Sequence, residues 1–133
     1  MKLHEFPEEY NELVSLVARE KHISESAVKR DYAIVRLLKN LSESPYADQC
    51  VFKGGTSLSK CYPNSIERFS EDIDLTFLGM ELADKDCDRA IKKIEAAMTV
   101  ILQIAPCIKA VAGIEAAVIS SNEIQNSFIV IFI

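Results

Sequence analysis

Two stretches near the start of the chain repeat apolar residues at helical spacing. Residues 8 to 20 place Leu13, Leu16 and Val17 on one face of an amphipathic helix. Residues 25 to 42 carry Val28, Tyr32, Val35 and Leu38 beside Ile34, Leu37 and Leu41, leaving Lys29, Arg30, Arg36 and Lys39 for solvent or a ligand. Ser24 is the natural N-cap of this second helix, and Ile23 and Val28 stand where a hydrophobic staple would close over it. The turn-rich stretch Ser42 to Asp48 ends the helical part, and a short strand is predicted at Gln49 to Phe52. Lys53, Gly54 and Gly55 follow, then a short helix over Thr56 to Tyr62 that Pro63 keeps from continuing. A second strand is predicted over Asp72 to Leu78. A long helix over 84 to 104 comes next, with Asp84, Asp86 and Asp88 in its first turns, where the helix dipole favours negative charge. Beyond Pro106, the Ala-rich stretch Ile108 to Ile119 is ambiguous and leans toward helix. Ser127 to Ile133 is apolar on both faces, as in a strand at the middle of a covered sheet.

Alternating strands and helices behind a helical start predict an α+β fold, with a small mixed β-sheet, flanking helices and an N-terminal helical segment. The chain has 133 residues, no internal repeat and no Gly/Ser linker, so a single domain over 1–133 is expected. Its helical part is 1–45 and its sheet-containing part 46–133. A soluble chain that stops inside a central strand is unusual, and the expectation is a fragment of a longer protein, lacking its C-terminal portion, or half of a split one. With 49% hydrophobic and 26% charged residues, disorder and fibrous classes are excluded. No apolar run approaches the ~20 residues that cross a bilayer and no leader is recognisable, so a cytoplasmic protein without membrane contact is expected. A formal charge of −5 is the wrong sign for a surface that grips nucleic acid everywhere, so any such contact is local. Cys50, Cys61, Cys87 and Cys107 form no C-x-x-C pair, and only His4 and His22 are present to assist them, which argues for free thiols rather than a Cys/His metal site.

The chemistry is concentrated in two segments. In Phe52-Lys53-Gly54-Gly55-Thr56-Ser57-Leu58-Ser59-Lys60, two glycines between strand and helix let backbone N–H groups approach a ligand at the positive end of the helix. That geometry binds phosphate. Thr56 and Ser57 would add hydroxyl donors, and Lys60, one turn after Thr56, an ammonium. Taken alone, the segment reads more readily as a tight turn with a capping Thr and a surface lysine, and the spacing of a Walker loop is absent. In Arg68-Phe69-Ser70-Glu71-Asp72-Ile73-Asp74-Leu75-Thr76-Phe77, strand alternation puts Asp72 and Asp74 on one face about 7 Å apart. Two like charges in an apolar strand call for a cation, and Mg²⁺ suits a pair of carboxylates completed by water and phosphate oxygens. Taken alone, the pair also fits an exposed edge strand that solvates its acids. Together the segments are far more specific, because a phosphate cradle and a metal pair about 17 residues apart can converge on one triphosphate. Lys53, Lys60 and Arg68 outweigh Glu67 between 53 and 68, whereas 71 to 88 holds seven acids and one lysine, so phosphate and cation sites lie side by side.

These two motifs, with Val28-Lys29-Arg30-Asp31-Tyr32 before them, resemble the AbiEii/AbiGii toxin family of the polymerase-beta-like nucleotidyltransferase superfamily, over residues 24 to 78. The resemblance implies contacts to a nucleoside triphosphate (NTP) by Gly54, Gly55 and Thr56, extended to Ser57 and Lys60, and a catalytic Mg²⁺ on Asp72 and Asp74. It implies nucleotide transfer to an acceptor hydroxyl, with tRNA as an acceptor and a cognate antitoxin protein as partner in a type IV toxin–antitoxin or abortive-infection system. The family's third acid and lysine, on a further strand, have no assignable counterpart; Glu115 and Glu123 stand in no recognisable strand context. The alternative is an incomplete nucleotide-binding fragment that acts as an interaction module, favoured by the free end of an apolar strand. A metal-dependent phosphohydrolase ranks lower, since no His joins the motifs.

Overall fold

The first two helices start and stop where the local chemistry provides for it. In the computed structural model, which describes residues 2–62, 64, 72–79, 82–104, 116–117 and 127–132, α1 spans Pro7–Lys21 and α2 spans Glu25–Ser42. Pro7 occupies the first turn of α1, where a missing N–H removes no helical bond. His22 ends α1 in the left-handed region at φ 56°. The Ser24 hydroxyl then caps α2, accepting from the Ala27 N–H at 3.2 Å, a contact typically worth about 1 kcal/mol. The remaining elements are β1 (Cys50–Lys53), α3 (Gly54–Cys61), β2 (Asp72–Phe77), α4 (Asp84–Ile104), β3 (Ala116–Ala117) and β4 (Ser127–Phe132).

The strands form one sheet in the order β1-β2-β4-β3. The α+β class is as expected, but every pairing is antiparallel where a mixed sheet was anticipated. The reason lies in the connection from β1 to β2. Lys53, at the end of β1, pairs with Asp74 near the start of β2, so the chain returns to the end of the sheet it left, and such a return reverses strand direction. Strand β4 is interior, paired with β2 from Asp72↔Phe132 to Phe77↔Ser127 and with β3 at Ile131 and Val130. Its backbone is engaged by β2 along its whole described length and by β3 at Ile131 and Val130, while the strand end at Ile133, on which the interaction-module alternative rested, lies outside the described residues. Ala116–Ala117 are strand rather than helix, because the ladder to β4 overrides the helical preference of alanine. Pro63, residues 65–71, Pro106, Cys107, Glu115, Glu123, Ile133 and the rest of 108–119 lie outside the described residues.

Burial alternates along β2: Ile73 and Leu75 are fully buried and Phe77 nearly so, while Asp72, Asp74 and Thr76 are half-buried on the opposite face. The apolar face receives Ala33, Ile34, Leu37 and Leu41 of α2 and Ile91, Ile94 and Met98 of α4, which together form the core. Asn40 ties the two helices, donating from Nδ2 to the Met98 carbonyl at 3.0 Å. The sheet therefore has one covered face and one face that carries polar groups.

Helix α1 packs on α2 through Tyr10, Val14 and Ala18, not through the expected stripe: Leu13 and Leu16 are 45% and 46% exposed. Two apolar stripes compete on this helix, and the aromatic contact decides between them. The Tyr10 ring meets Tyr32 edge-on at 5.3 Å, and the Tyr32 hydroxyl hydrogen-bonds His4 Nδ1 at 2.8 Å. Burial lowers the pKa of His4, so the neutral ring is the form this contact holds. Leu37→Ala is expected to cost about 2–5 kcal/mol in urea unfolding, as for other fully buried leucines, whereas Leu16→Ala stays within about 0.5 kcal/mol of the parent.

Candidate active site

The polar face of β2 is shaped by its register with β1. Lys53 stands directly across from Asp74 and Val51 across from Thr76, so both β1 side chains share the face that carries the two aspartates. The next residue turns the chain. Gly54 adopts φ +79°, a conformation side chains disfavour, and a Cβ there would fall 2.3 Å from Asp74 Oδ2 and 3.1 Å from its Cγ. The Asp74 carboxylate therefore fills the space that only glycine leaves open, and the glycine turn and the aspartate pair meet at one point.

Helix α3 starts from that point. Its N-cap, Lys53, supplies no side-chain capping hydrogen bond, and the first-turn N–H groups, which have no partner within the helix, lie at the positive end of its dipole. The hydroxyls have other partners. Thr56, 1% exposed, donates from Oγ1 to the Asp72 carbonyl at 2.6 Å, and Ser57 donates from Oγ to the Phe52 carbonyl at 3.3 Å. Both hydroxyls fasten α3 to the two strands, and what Thr56 presents to a ligand is backbone rather than hydroxyl. Lys60 is turned to α2, where its ammonium forms an ion pair with Asp31. The structure thus brings Gly54, Asp74, Asp72 and Thr56 together and directs Lys60 elsewhere. The sequence counted Lys53 among the local positive charges without placing it across from Asp74, and gave Asp31 no role, because no short-range pattern links it to a lysine 29 positions away.

Burial raises the pKa of Asp74, and the neighbouring Asp72 charge raises it further, against the opposing pull of Lys53. A carboxylate held in this way gains from any added cation. Asp72 and Asp74 offer hard oxygen donors on one face, and the open first turn of α3 lies against one of them, which suits Mg²⁺ shared with a phosphate. Among the described residues no third His, Cys, Asp or Glu completes a metal cluster. Cys50, Cys61 and Cys87 are free thiols.

Two measurements probe this geometry. Gly54→Ala should destabilise through both its positive φ, about 1–3 kcal/mol, and the clash with Asp74, and adding Asp74→Ala should recover the second part only. A chemical-denaturation cycle on the two single variants and the double variant reads this coupling directly. The raised Asp74 pKa means that the folded state keeps a proton the unfolded chain has already released. The group's contribution to stability is therefore full below the usual carboxylate range and is lost as pH rises through its folded value. Without divalent cations, Asp74→Asn should melt a few degrees higher than the parent at neutral pH, and the gain should fade below a pH of about 4.

A family model described as "Nucleotidyl transferase AbiEii toxin, Type IV TA system" matches residues 36–109, a little over half of the chain. The matched span runs from within α2 through α4 and contains every residue of the site named above except Asp31. No curated protein and no solved structure gives a match.

Proposed function

The chain belongs to the AbiEii family of nucleotidyl transferase toxins from type IV toxin–antitoxin systems, and from that premise we propose that its site takes an NTP with Mg²⁺ and passes the nucleotide to an acceptor hydroxyl. The observation that carries this reading is the packing of Asp74 against the Gly54 turn, where a Cβ would lie 2.3 Å from the carboxylate. A triphosphate held by the amides of Gly54, Gly55 and Thr56 thereby has its metal ligands alongside. Asp72 and Asp74 hold the Mg²⁺. When bound, the ion supplies charge neutralisation on the phosphates and on the leaving pyrophosphate.

The chain's own groups account for the rest. The Asp72 backbone is tied to α3 by Thr56, so the phosphate cradle is pinned beside the strand that carries the two aspartates. Lys53, across from Asp74, adds positive charge on the face the phosphates approach. The acceptor oxygen forms the new bond to the α-phosphorus as the bond to pyrophosphate breaks, in line, and the hydroxyl proton passes to solvent water over the open face. The covered face of the sheet keeps water from only one side, so the acceptor enters over the open face. A tRNA end is the acceptor and a cognate antitoxin the protein partner that best fit the family's toxin role.

With millimolar Mg²⁺ and NTP the melting temperature of the parent chain should rise, by the equivalent of about 2.7 kcal/mol at a hundredfold excess over Kd. Asp72→Asn and Asp74→Asn should abolish that rise while keeping a native circular-dichroism spectrum. They should also abolish transfer of radiolabel from α-labelled NTP to tRNA. An unshifted parent with every NTP, or full shifts in both variants, refutes the reading.

A further inference from the structure

Helix α3 presents its first turn to Asp74, and three side-chain ties set where that turn lies. Thr56 fixes the helix to β2 through the Asp72 carbonyl at 2.6 Å, and Ser57 fixes it to β1 through the Phe52 carbonyl at 3.3 Å. The third tie reaches beyond the sheet, from Lys60 Nζ to Asp31 Oδ1 on α2. The two side chains are only 26% and 32% exposed. Water therefore screens this pair less than a fully exposed surface ion pair.

Asp31 sits on a turn of α2 that is itself braced. Its neighbour Tyr32 packs against Tyr10 of α1 at 5.3 Å and receives the His4 backbone N–H on its hydroxyl at 3.3 Å, besides the 2.8 Å contact with the His4 ring. The N-terminal residues thus converge on the turn of α2 that carries Asp31, the partner of Lys60 near the C-terminal end of α3. Asp31 also precedes residues 36–109, the span that the family model matches.

We propose that Asp31 is a positioning residue of the nucleotide site: acting through Lys60, it holds α3 so that the Gly54-Gly55 turn lies over Asp74, and the N-terminal helices thereby set the affinity for the triphosphate. The inference rests on the triphosphate reading given above. An eight-residue helix moves as a short rigid lever. Releasing its C-terminal end lets its first turn tilt about the Thr56 and Ser57 ties, and displacements of about 1 Å in such sites can cost roughly 10²-fold. The same ion pair explains why Lys60 stands away from the phosphate position that the sequence suggested for it.

The test compares the parent chain with Asp31→Asn, Asp31→Glu, Lys60→Met and the exchanged pair Asp31→Lys with Lys60→Asp. Two readouts are taken: the Gly54 and Gly55 amide signals by NMR without nucleotide, and calorimetric affinity for MgATP, MgGTP, MgCTP and MgUTP. Asp31→Asn and Lys60→Met should each shift both amides and weaken the best-bound nucleotide by roughly tenfold. Asp31→Glu and the exchanged pair should return both readouts toward the parent, which a general loss of stability would not produce. Unmoved glycine amides in Asp31→Asn overturn the proposal. Restored amides with affinity still lost in the exchanged pair also overturn it, because Lys60 would then be a phosphate ligand rather than a tie. A parent chain that binds none of the four nucleotides refutes the transferase reading instead, and the amide signals alone then uphold or overturn the tie.

Discussion

The antiparallel register between β1 and β2 determines where every charged group of the site stands. Lys53 pairs with Asp74 and Phe52 with Leu75, so one strand face collects the lysine and the aspartates while the other collects the residues that α2 and α4 cover. A slip of one position would exchange the faces, driving Asp72 and Asp74 into the space now filled by Ile73, Leu75 and Phe77. Burying two carboxylates there is far more costly than any loop rearrangement that would accommodate the slip. The hydrophobic core therefore does more than stabilise the molecule. By claiming alternate residues of β2 it aims the remaining ones at the open side.

Around that register the residues of the motifs divide into two kinds. Thr56 and Ser57 spend their hydroxyls on the Asp72 and Phe52 carbonyls and so belong to the framework. Gly54 takes a positive φ that a side chain would disfavour, and Asp74 carries charge where burial and Asp72 disfavour it. A poorly solvated charge packed on a glycine-only turn is a pattern of sites kept for chemistry rather than for stability. A motif of small hydroxyl and glycine residues thus contains scaffold and working parts side by side, and only the hydrogen-bond partners tell them apart.

Much of this was legible in the chain. Helices over 25–42 and 84–104 appear with the boundaries their periodicity and caps indicated, because long amphipathic repeats leave little freedom. The two-sided apolar character of 127–132 pointed to an interior strand, and that is where it lies. Alternation through Asp72-Ile73-Asp74 gave the shared face of the aspartates, although the approach of Gly54 to Asp74 depends on register and on one dihedral angle. What stayed hidden depends on contacts between distant parts. Leu13 and Leu16 lost the competition for the α1 interface to Tyr10, Val14 and Ala18 because Tyr32 offered an aromatic partner. The direction of the strands was set by how the β1 to β2 connection returns. The partner of Lys60 lies on another helix altogether.

Chain order gives the sheet a consequence for synthesis. Strands β1 and β2 are joined through the short α3, whereas β2 must wait for the whole of α4 and the residues after it before β4 can pair along its other edge. Nearby pairings close faster than remote ones, so the glycine turn and the aspartate strand meet while β2 still has an unpaired edge. A nascent chain emerging from the ribosome therefore passes through a stage in which that edge is open to intermolecular pairing, and arrival of β4 is what seals it.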